Sequence, residues 1–282
     1  MLTRKNLLMK FVIISSAVVA LTSGIMWPNW VNEIRAYYGK GKAGKCELPV
    51  FNLSDFDSAV SNPYLSMLNI GATYVYEAET DRGLVRKYIW FPSNFPEIMG
   101  VTCHAVIEKE YIWAEEIGEW KIIGTDRNEY AWDKYGNYWH FGENNLDTYY
   151  TDDWTEEGIY AYSYWTAGED GALPGIILLA EPKSGDCVQQ EFYQNVERIA
   201  WDMGQVSGLK GDKSDHCNKN CLVIKEWSPV YREKMERKFY APGLGLVYIK
   251  QMKGKNVVYE LVNYYMGSPP DEPAPLNIVP IQ

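Results

Sequence analysis

The chain has 282 residues, and its 37 acidic against 27 basic side chains give a formal net charge of -10 at pH 7. Such a charge would be repelled by a phosphate backbone, which argues against nucleic acid as a partner. The length fits one large β domain, because β-sandwiches and barrels commonly reach about 200 to 250 residues as a single unit.

The N-terminus has the pattern of an export signal. Arg4, Lys5 and Lys10 precede the apolar run FVIISSAVVALTSGIMW over residues 11–27, which includes small residues near its end. We therefore predict that residues 1–27 are a cleavable signal peptide. If they are not cleaved, residues 11–27 would be a membrane anchor, since a spanning helix needs about 20 apolar residues. No other segment is apolar and long enough to span a bilayer, so the protein is expected in the periplasm, at the cell surface or outside the cell.

Composition divides the rest of the chain into three zones. Residues 28–48 are polar and Lys-rich around GKGKAGK, which predicts a solvated linker. Residues 49–265 are the predicted globular domain. Residues 266–282 contain five prolines, and because proline donates no backbone hydrogen bond this tail is expected to be extended or disordered.

Period-two patterns dominate the globular zone. The runs TYVYEAET and LVRKYIWF alternate and are separated by DRG, which predicts a β-hairpin. Further β-branched and aromatic runs follow at short intervals, as is typical of antiparallel sheet rather than βαβ units. We expect a mainly β fold, with one strongly curved antiparallel sheet forming an open barrel or a two-sheet arrangement, and few short helices.

Two segments depart from this simple pattern. LSDFDSAV predicts a short helix, because Ser54 could cap it and Phe56 and Val60 lie one turn apart. QQEFYQNVERIAWDMGQV fits helical spacing and strand alternation alike, and we favour strand.

The segment YAWDKYGNYWHFGE, residues 130–143, contains the main candidate ligand-binding residues. Asp133 and Gly136 in DKYGN predict a tight turn between two strands. This turn explains the presence of Asp133 without a role in ligand binding. Alternation then places Tyr138 and His140 on one sheet face and Trp139 with Phe141 on the other. The candidate ligand-binding set is Trp132, Trp139, His140, Phe141 and Glu143.

Acidic residues are concentrated in GENNLDTYYTDDWTEEG, which we interpret as a loop. Clustered oxygens could bind a hard cation, but the segment lacks the alternating Asp/Asn ligands and central Gly of a calcium loop. A solvated acidic face is the favoured interpretation.

The five cysteines are odd in number, so at least one thiol cannot pair within the chain. Cys217 and Cys221 are close in sequence and form the preferred disulfide in an oxidising compartment. Their spacing also fits a metal site with the adjacent His216, which remains the alternative.

Several phrases together resemble a family of uncharacterised exported bacterial proteins. These are NPYLSMLNIGATYVYE, YAWDKYGNYWHFGE, WTAGEDGALPGIILLAEPKSGD with QQEFY, CLVIKEWSP and KFYAPGLGLV. The last third is also similar to lipoprotein-carrier (LolA-like) proteins with curved, half-open sheets. The resemblance implies an envelope compartment and turns at Pro174-Gly175 and Gly243-Gly245, and it implies no catalytic residues. The segment GLKGDKSDHCNKNC departs from the family pattern.

No nucleophile elbow, P-loop, dinucleotide fingerprint or zincin motif is present, and no cofactor is predicted. We therefore expect a non-catalytic binding or scaffold role. An aromatic-rich concave sheet face could hold an apolar, lipid-like or amphipathic ligand, or a glycan. The alternative functions are a carbohydrate-active or other hydrolytic enzyme and a metal-binding envelope protein. Another envelope protein could be the binding partner in place of a small ligand.

Overall fold

The computed structural model describes residues 46–66, 69–194, 199–210, 216–217, 220–228, 235–252, 257–271 and 273. The predicted signal segment, most of the linker and most of the Pro-rich tail therefore lie outside the described residues. Within the described residues, no helix is long and apolar enough to cross a membrane.

The described residues form one 3-10 helix, Leu53–Phe56, and fifteen β-strands. The strands are β1 Ala72–Thr80, β2 Gly83–Trp90, β3 Glu97–Ile98, β4 Val101–Thr102, β5 His104–Ala114, β6 Glu119–Trp132, β7 Tyr138–Tyr150, β8 Glu156–Thr166, β9 Leu173–Leu178, β10 Cys187–Gln194, β11 Ile199–Lys210, β12 Cys221–Trp227, β13 Met235–Ala241, β14 Gly245–Gln251 and β15 Val258–Met266.

Thirteen of these strands form one sheet in the order β6-β5-β2-β1-β15-β14-β13-β12-β11-β10-β9-β7-β8. Because β6 also pairs with β7, twelve strands close into a barrel, and β8 extends the sheet beyond β7. Neighbouring strands run antiparallel. The predicted mainly β fold with one strongly curved antiparallel sheet is confirmed.

The predicted hairpins are present at the predicted turns. Thr80 pairs with Gly83 across the DRG turn, and Trp132 pairs with Tyr138 across DKYGN. Gly136 has a φ of 89°, which explains why glycine occupies that position. The segment QQEFYQNVERIAWDMGQV forms strand, as favoured, wherever the structure describes it. Its first part belongs to β10, which ends at Gln194, and its last part belongs to β11, which begins at Ile199.

Three local predictions need correction. The 3-10 helix is capped by Asn52 rather than Ser54, because the Asn52 side chain accepts from the Ser54 amide. Pro174 and Gly175 lie inside β9 and not in a turn, since the strand pairs with both β7 and β10. The acidic segment is not a loop: β7 continues to Tyr150 and β8 begins at Glu156.

The predicted linker and tail both have ends that belong to the barrel. Cys46 forms a disulfide with Cys187, and Glu47 pairs with Val188 at the start of β10. At the other end, the Tyr111 hydroxyl donates to the Asp271 carbonyl oxygen at 3.0 Å. These contacts order the ends of two segments that composition alone assigned to solvent.

Apolar residues pack on both faces of the sheet. The larger cluster shares the inner face with the cavity described below, because Val106 of the cluster and Glu108 of the cavity are alternate residues of β5. A second cluster covers the outer face of β7, where Phe51 and Phe56 pack edge-to-face on Trp139 and Phe141.

Four of the five cysteines are paired. Cys217 and Cys221 form the predicted disulfide, Cys46 pairs with Cys187, and Cys103 is a buried free thiol. The disulfides are compatible with an oxidising, exported location. The alternative prediction of a metal site at His216, Cys217 and Cys221 is wrong, because a disulfide sulfur cannot serve as a thiolate ligand.

Candidate metal centre

The barrel encloses a cavity of about 340 Å³ whose wall is strongly acidic. Its lining comes from strands on all sides of the barrel and contains two lysines, Lys87 and Lys238, and one histidine, His140. The eight carboxylates in the lining are Glu108, Glu110, Asp126, Glu143, Asp147, Glu191, Glu226 and Glu236. Negative charge in the cavity therefore exceeds the positive charge of its lysines.

The two lysines are each held by two of these carboxylates. Lys87 Nζ lies 3.4 Å from Glu108 and 3.0 Å from Glu110. Burial works to lower the pKa of Lys87, but the two glutamates raise it well above its usual value, so the ammonium stays charged. The cavity thus contains an ammonium group that its own carboxylates stabilise.

Lys238 of β13 has the same arrangement, four strands away from β2 in the sheet order. Its Nζ lies 2.7 Å from Glu226 and 3.1 Å from Glu236. Gln190 Nε2 also donates to Glu226 at 3.0 Å. These contacts account for two further carboxylates of the eight.

The pKa of Asp126 reflects its burial and the negative charge of the neighbouring carboxylates. Burial, followed by the repulsion of Glu108, raises the pKa of Asp126 to about 7 from its usual 3.8, against the opposing effect of Lys87. This carboxyl therefore binds a proton at a much higher pH than an exposed aspartate does.

His140, Glu143 and Glu191 converge at one place in the cavity wall. One ligand atom from each lies within 4.8 Å of the other two. His140 Nδ1 is 3.6 Å from Glu191 Oε2. The three residues are only 3%, 7% and 4% exposed. We refer to His140, Glu143 and Glu191 as the triad.

Neighbouring side chains fix the orientation of the triad. The His140 ring stacks on Tyr130 at 4.8 Å between centroids and meets Trp165 edge-on at 4.9 Å. Asn145 Nδ2 donates to Glu143 Oε2 at 3.1 Å. Packing and hydrogen bonding around ligand side chains are what hold a metal site in a defined geometry.

A β-bulge in β7 brings His140 and Glu143 to the same face. Glu129 pairs with Gly142 and Tyr130 with His140, so Phe141 is an extra residue in the ladder. Strict alternation would place residues three apart, such as His140 and Glu143, on opposite faces of the sheet. The extra residue between them shifts the alternation by one, so both side chains point to the same face.

A second bulge, in β10, supplies Glu191. Gln189 pairs with Met203 and Glu191 with Asp202, so Gln190 is the extra residue. Both Gln190 and Glu191 consequently reach the cavity.

Two glycines make room for this second bulge. A Cβ on Gly175 of β9 would clash with the backbone carbonyl of Gln190, and one on Gly204 of β11 would lie 2.7 Å from Gln190 Nε2. Close approach of the strand backbones requires glycine at position 175, whereas Gly204 leaves room for the side chain of Gln190.

The predicted ligand-binding residues are divided between the two faces of the sheet. His140 and Glu143 line the cavity, whereas Trp139 and Phe141 lie in the outer cluster. Trp132 is on the inner side, where it stacks on His104 at 4.3 Å and donates to the Leu65 carbonyl oxygen. The structure therefore brings only two residues of the predicted set to the cavity, His140 and Glu143.

Asp133 has the structural role that the turn predicted. Its carboxylate accepts from the amides of Tyr135 and Asn137 and from the indole of Trp139 at 2.8 to 2.9 Å.

Sequence reasoning missed Glu191 and Asn145. Glu191 is 48 positions from Glu143, and its inward orientation depends on a bulge that no local pattern in QQEFY reveals. Asn145 was recognised only as part of an acidic segment. The available signal was the strand-like continuation of β7 through NNLDTYY, which the concentration of charge obscured.

No family model, curated protein or solved structure matches this chain. The chemistry of the site is therefore argued from its own residues. One imidazole and two carboxylates are a donor set that suits divalent ions of the first transition row. Three protein ligands leave coordination positions open for water or for a further ligand from the cavity.

Proposed function

We propose that this protein binds one divalent metal ion inside its barrel, in an oxidising compartment outside the cytoplasm, with His140, Glu143 and Glu191 as ligands. The observation that supports it is the convergence of three buried donor side chains to within 4.8 Å of one another. These donors come from β7 and β10, which lie on either side of β9, and two bulges turn them to the same face.

The electrostatics of the cavity favour a cation at this place. A cavity lined by eight carboxylates and two lysines attracts a cation, because charges interact strongly where water is partly excluded. A divalent ion at the triad would balance two carboxylates and take up the neutral imidazole as a third ligand. It would also weaken the repulsion that the acidic wall exerts on Asp126.

The composition of the cavity does not favour the apolar or lipid-like ligand expected from the sequence. The wall is charged on opposite sides of the barrel, and the rings of Trp139 and Phe141 are buried on the outer face. An acyl chain in this cavity would remove water from the charged groups without replacing its hydrogen bonds. Export remains part of the proposal, and the two disulfides support it.

Metal binding can be tested by calorimetry on disulfide-intact protein that has been stripped with chelator. We expect one equivalent of Mn²⁺ or Zn²⁺ to bind to the wild type. Glu191→Gln should weaken binding at least about a hundredfold, which exceeds the usual effect of removing an outer-shell partner. Glu236→Gln is the matched control, because it removes a cavity carboxylate that contacts Lys238, and it should change the affinity only slightly. A wild type that binds no stoichiometric metal, or equal affinity in Glu191→Gln, would refute the proposal.

A hydrolytic enzyme is the second candidate, and Asp126 is the observation that favours it. A carboxyl with a pKa of about 7 can donate a proton near neutral pH. Acid and base carboxyls in one cleft are what glycoside hydrolysis requires. Turnover of a panel of aryl glycosides and esters that is abolished by Asp126→Asn would support an enzyme; absence of turnover in the wild type would exclude these substrates.

A further inference from the structure

Asn145 lies next to the triad on the cavity face of β7. It is two residues beyond Glu143 and lines the same cavity. Its Nδ2 donates to Glu143 Oε2 at 3.1 Å. The amide nitrogen of Asn145 is the end that faces Glu143, so the amide oxygen points away from this hydrogen bond.

The oxygen atom of this amide lacks a hydrogen-bond donor among the described residues. Asn145 Oδ1 is buried, and it has no hydrogen-bond partner within the part of the chain that the structure describes. A buried acceptor without a partner is destabilising, and native proteins usually satisfy such an atom with protein, water or an ion. Since Oδ1 and Nδ2 are bonded to the same carbon, the unsatisfied oxygen lies beside the carboxylate of Glu143.

The donors around the triad are mainly oxygen. Carboxylates, amides and tyrosines line the cavity, and its described lining contains no cysteine or methionine. Oxygen donors suit Mg²⁺, Ca²⁺ and Mn²⁺, whereas an imidazole extends the choice toward Mn²⁺ and away from the purely oxygen-bound ions.

We infer that the ion held by the triad is a six-coordinate, oxygen-preferring divalent cation of the Mn²⁺ class, and that Asn145 Oδ1 is its fourth protein ligand. This inference rests on the proposed metal-binding function. A tetrahedral Zn²⁺ ion would be satisfied by the triad and one water, so it would not need Asn145. Asn145 is therefore the residue that distinguishes the two classes of ion.

Variants at position 145 separate ligation from support of Glu143. Asn145→Ala removes both the amide donor and the oxygen. Asn145→Asp keeps an oxygen in place but loses the donor to Glu143. If Oδ1 binds the ion, Asp should restore what Ala removes; if Asn145 only orients Glu143, Asp should fail as Ala does.

The experiment is titration of chelator-stripped, disulfide-intact protein with Mn²⁺, followed by electron paramagnetic resonance, and in parallel with Zn²⁺ by calorimetry. We expect Asn145→Ala to weaken Mn²⁺ binding by more than about a hundredfold, because it removes a ligand as well as the donor to Glu143, and to weaken Zn²⁺ binding by only about tenfold, as loss of an outer-shell partner does. Asn145→Asp should bind Mn²⁺ at least as tightly as the wild type. The change relative to the wild type is the measure, because Zn²⁺ binds most N/O sites more tightly than Mn²⁺ in absolute terms.

Gln251→Ala is the matched control, since it removes another amide of the cavity lining without altering β7. Circular dichroism of each variant confirms that the barrel is intact. A wild type that binds neither ion would refute the proposed function and this inference together. Equal losses for Mn²⁺ and Zn²⁺ in Asn145→Ala, or no recovery in Asn145→Asp, would overturn this inference alone and leave metal binding by the triad in place.

Discussion

At the scale of single residues, the candidate site depends on a position that has no side chain. Gly175 of β9 lies against the backbone of Gln190, the extra residue in β10, and pairs with His140 of β7. We expect Gly175→Ala to lower the free energy of unfolding by about 1 to 3 kcal/mol, as overpacking typically does. It should also weaken metal binding, because the clash displaces the bulge that presents Glu191. Urea denaturation and calorimetry would measure the two effects.

Gly124→Ala is the control for this prediction. A Cβ there would lie 3.6 Å from the Cβ of Glu110, which is an ordinary contact on the same cavity side. Its stability and metal affinity should therefore stay close to those of the wild type. Equal destabilisation by both substitutions would show that the barrel tolerates no added methyl group and that Gly175 has no special role.

Asp126 leads to a prediction about pH. Its pKa is raised to about 7 in the folded state from the usual 3.8, so between these values the folded protein binds more protons than the unfolded chain. The free energy of unfolding of metal-free protein should therefore fall as pH rises from about 4 to 7, by an amount on the order of a few kcal/mol.

Asp126→Asn removes this titration and should flatten the profile. Urea denaturation at pH 5 and at pH 8 with chelator present would measure it, with the variant expected to gain most at the higher pH. A variant as sensitive to pH as the wild type would assign the dependence to other groups of the cavity.

At the scale of elements, the two disulfides differ in what they constrain. Cys217–Cys221 closes a loop with a sequence separation of 4, whereas Cys46–Cys187 has a separation of 141 and joins the start of the described chain to β10. Chain-entropy arguments give about 2 kcal/mol for the short loop and about 5 kcal/mol for the long one.

We therefore expect Cys46→Ala with Cys187→Ala to destabilise the barrel more than Cys217→Ala with Cys221→Ala. Thermal unfolding of both double variants under non-reducing conditions would rank them. The opposite order would indicate that the chain between Cys46 and Cys187 is already compact when unfolded.

At the scale of the whole molecule, metal binding and barrel stability are linked. The triad joins β7 to β10 across β9, so the site exists only when these strands are assembled. A ligand that binds only the folded state stabilises it by about 2.7 kcal/mol at a concentration 100 times its Kd. Saturating Mn²⁺ should raise the melting temperature of the wild type, and chelator should reverse the shift.

Glu191→Gln should show no such shift, whereas Glu236→Gln should retain it. Because four of the five cysteines are in disulfides, binding to thiolates of the unfolded chain is limited to Cys103. Stabilisation of Glu191→Gln by Mn²⁺ to the same extent as the wild type would mean that the ion binds elsewhere.

The sequence by itself determined the fold class, the hairpin turns and one disulfide. These features are local: alternation sets a strand, DKYGN and DRG set turns, and Cys217 cannot move far from Cys221. It also identified His140 and Glu143 as candidates, because YAWDKYGNYWHFGE places a histidine and a carboxylate among aromatic residues.

Only the tertiary structure decided that β6 pairs with β7 to close the barrel, and that Glu191 and Asn145 stand beside His140 and Glu143. Pairing between distant strands depends on the register of the whole sheet. A single extra residue, at Phe141 or at Gln190, reverses the face of the residues that follow it. Alternation read along one strand cannot detect that reversal, since the bulge is defined by the partner strand and not by the sequence of the strand that contains it.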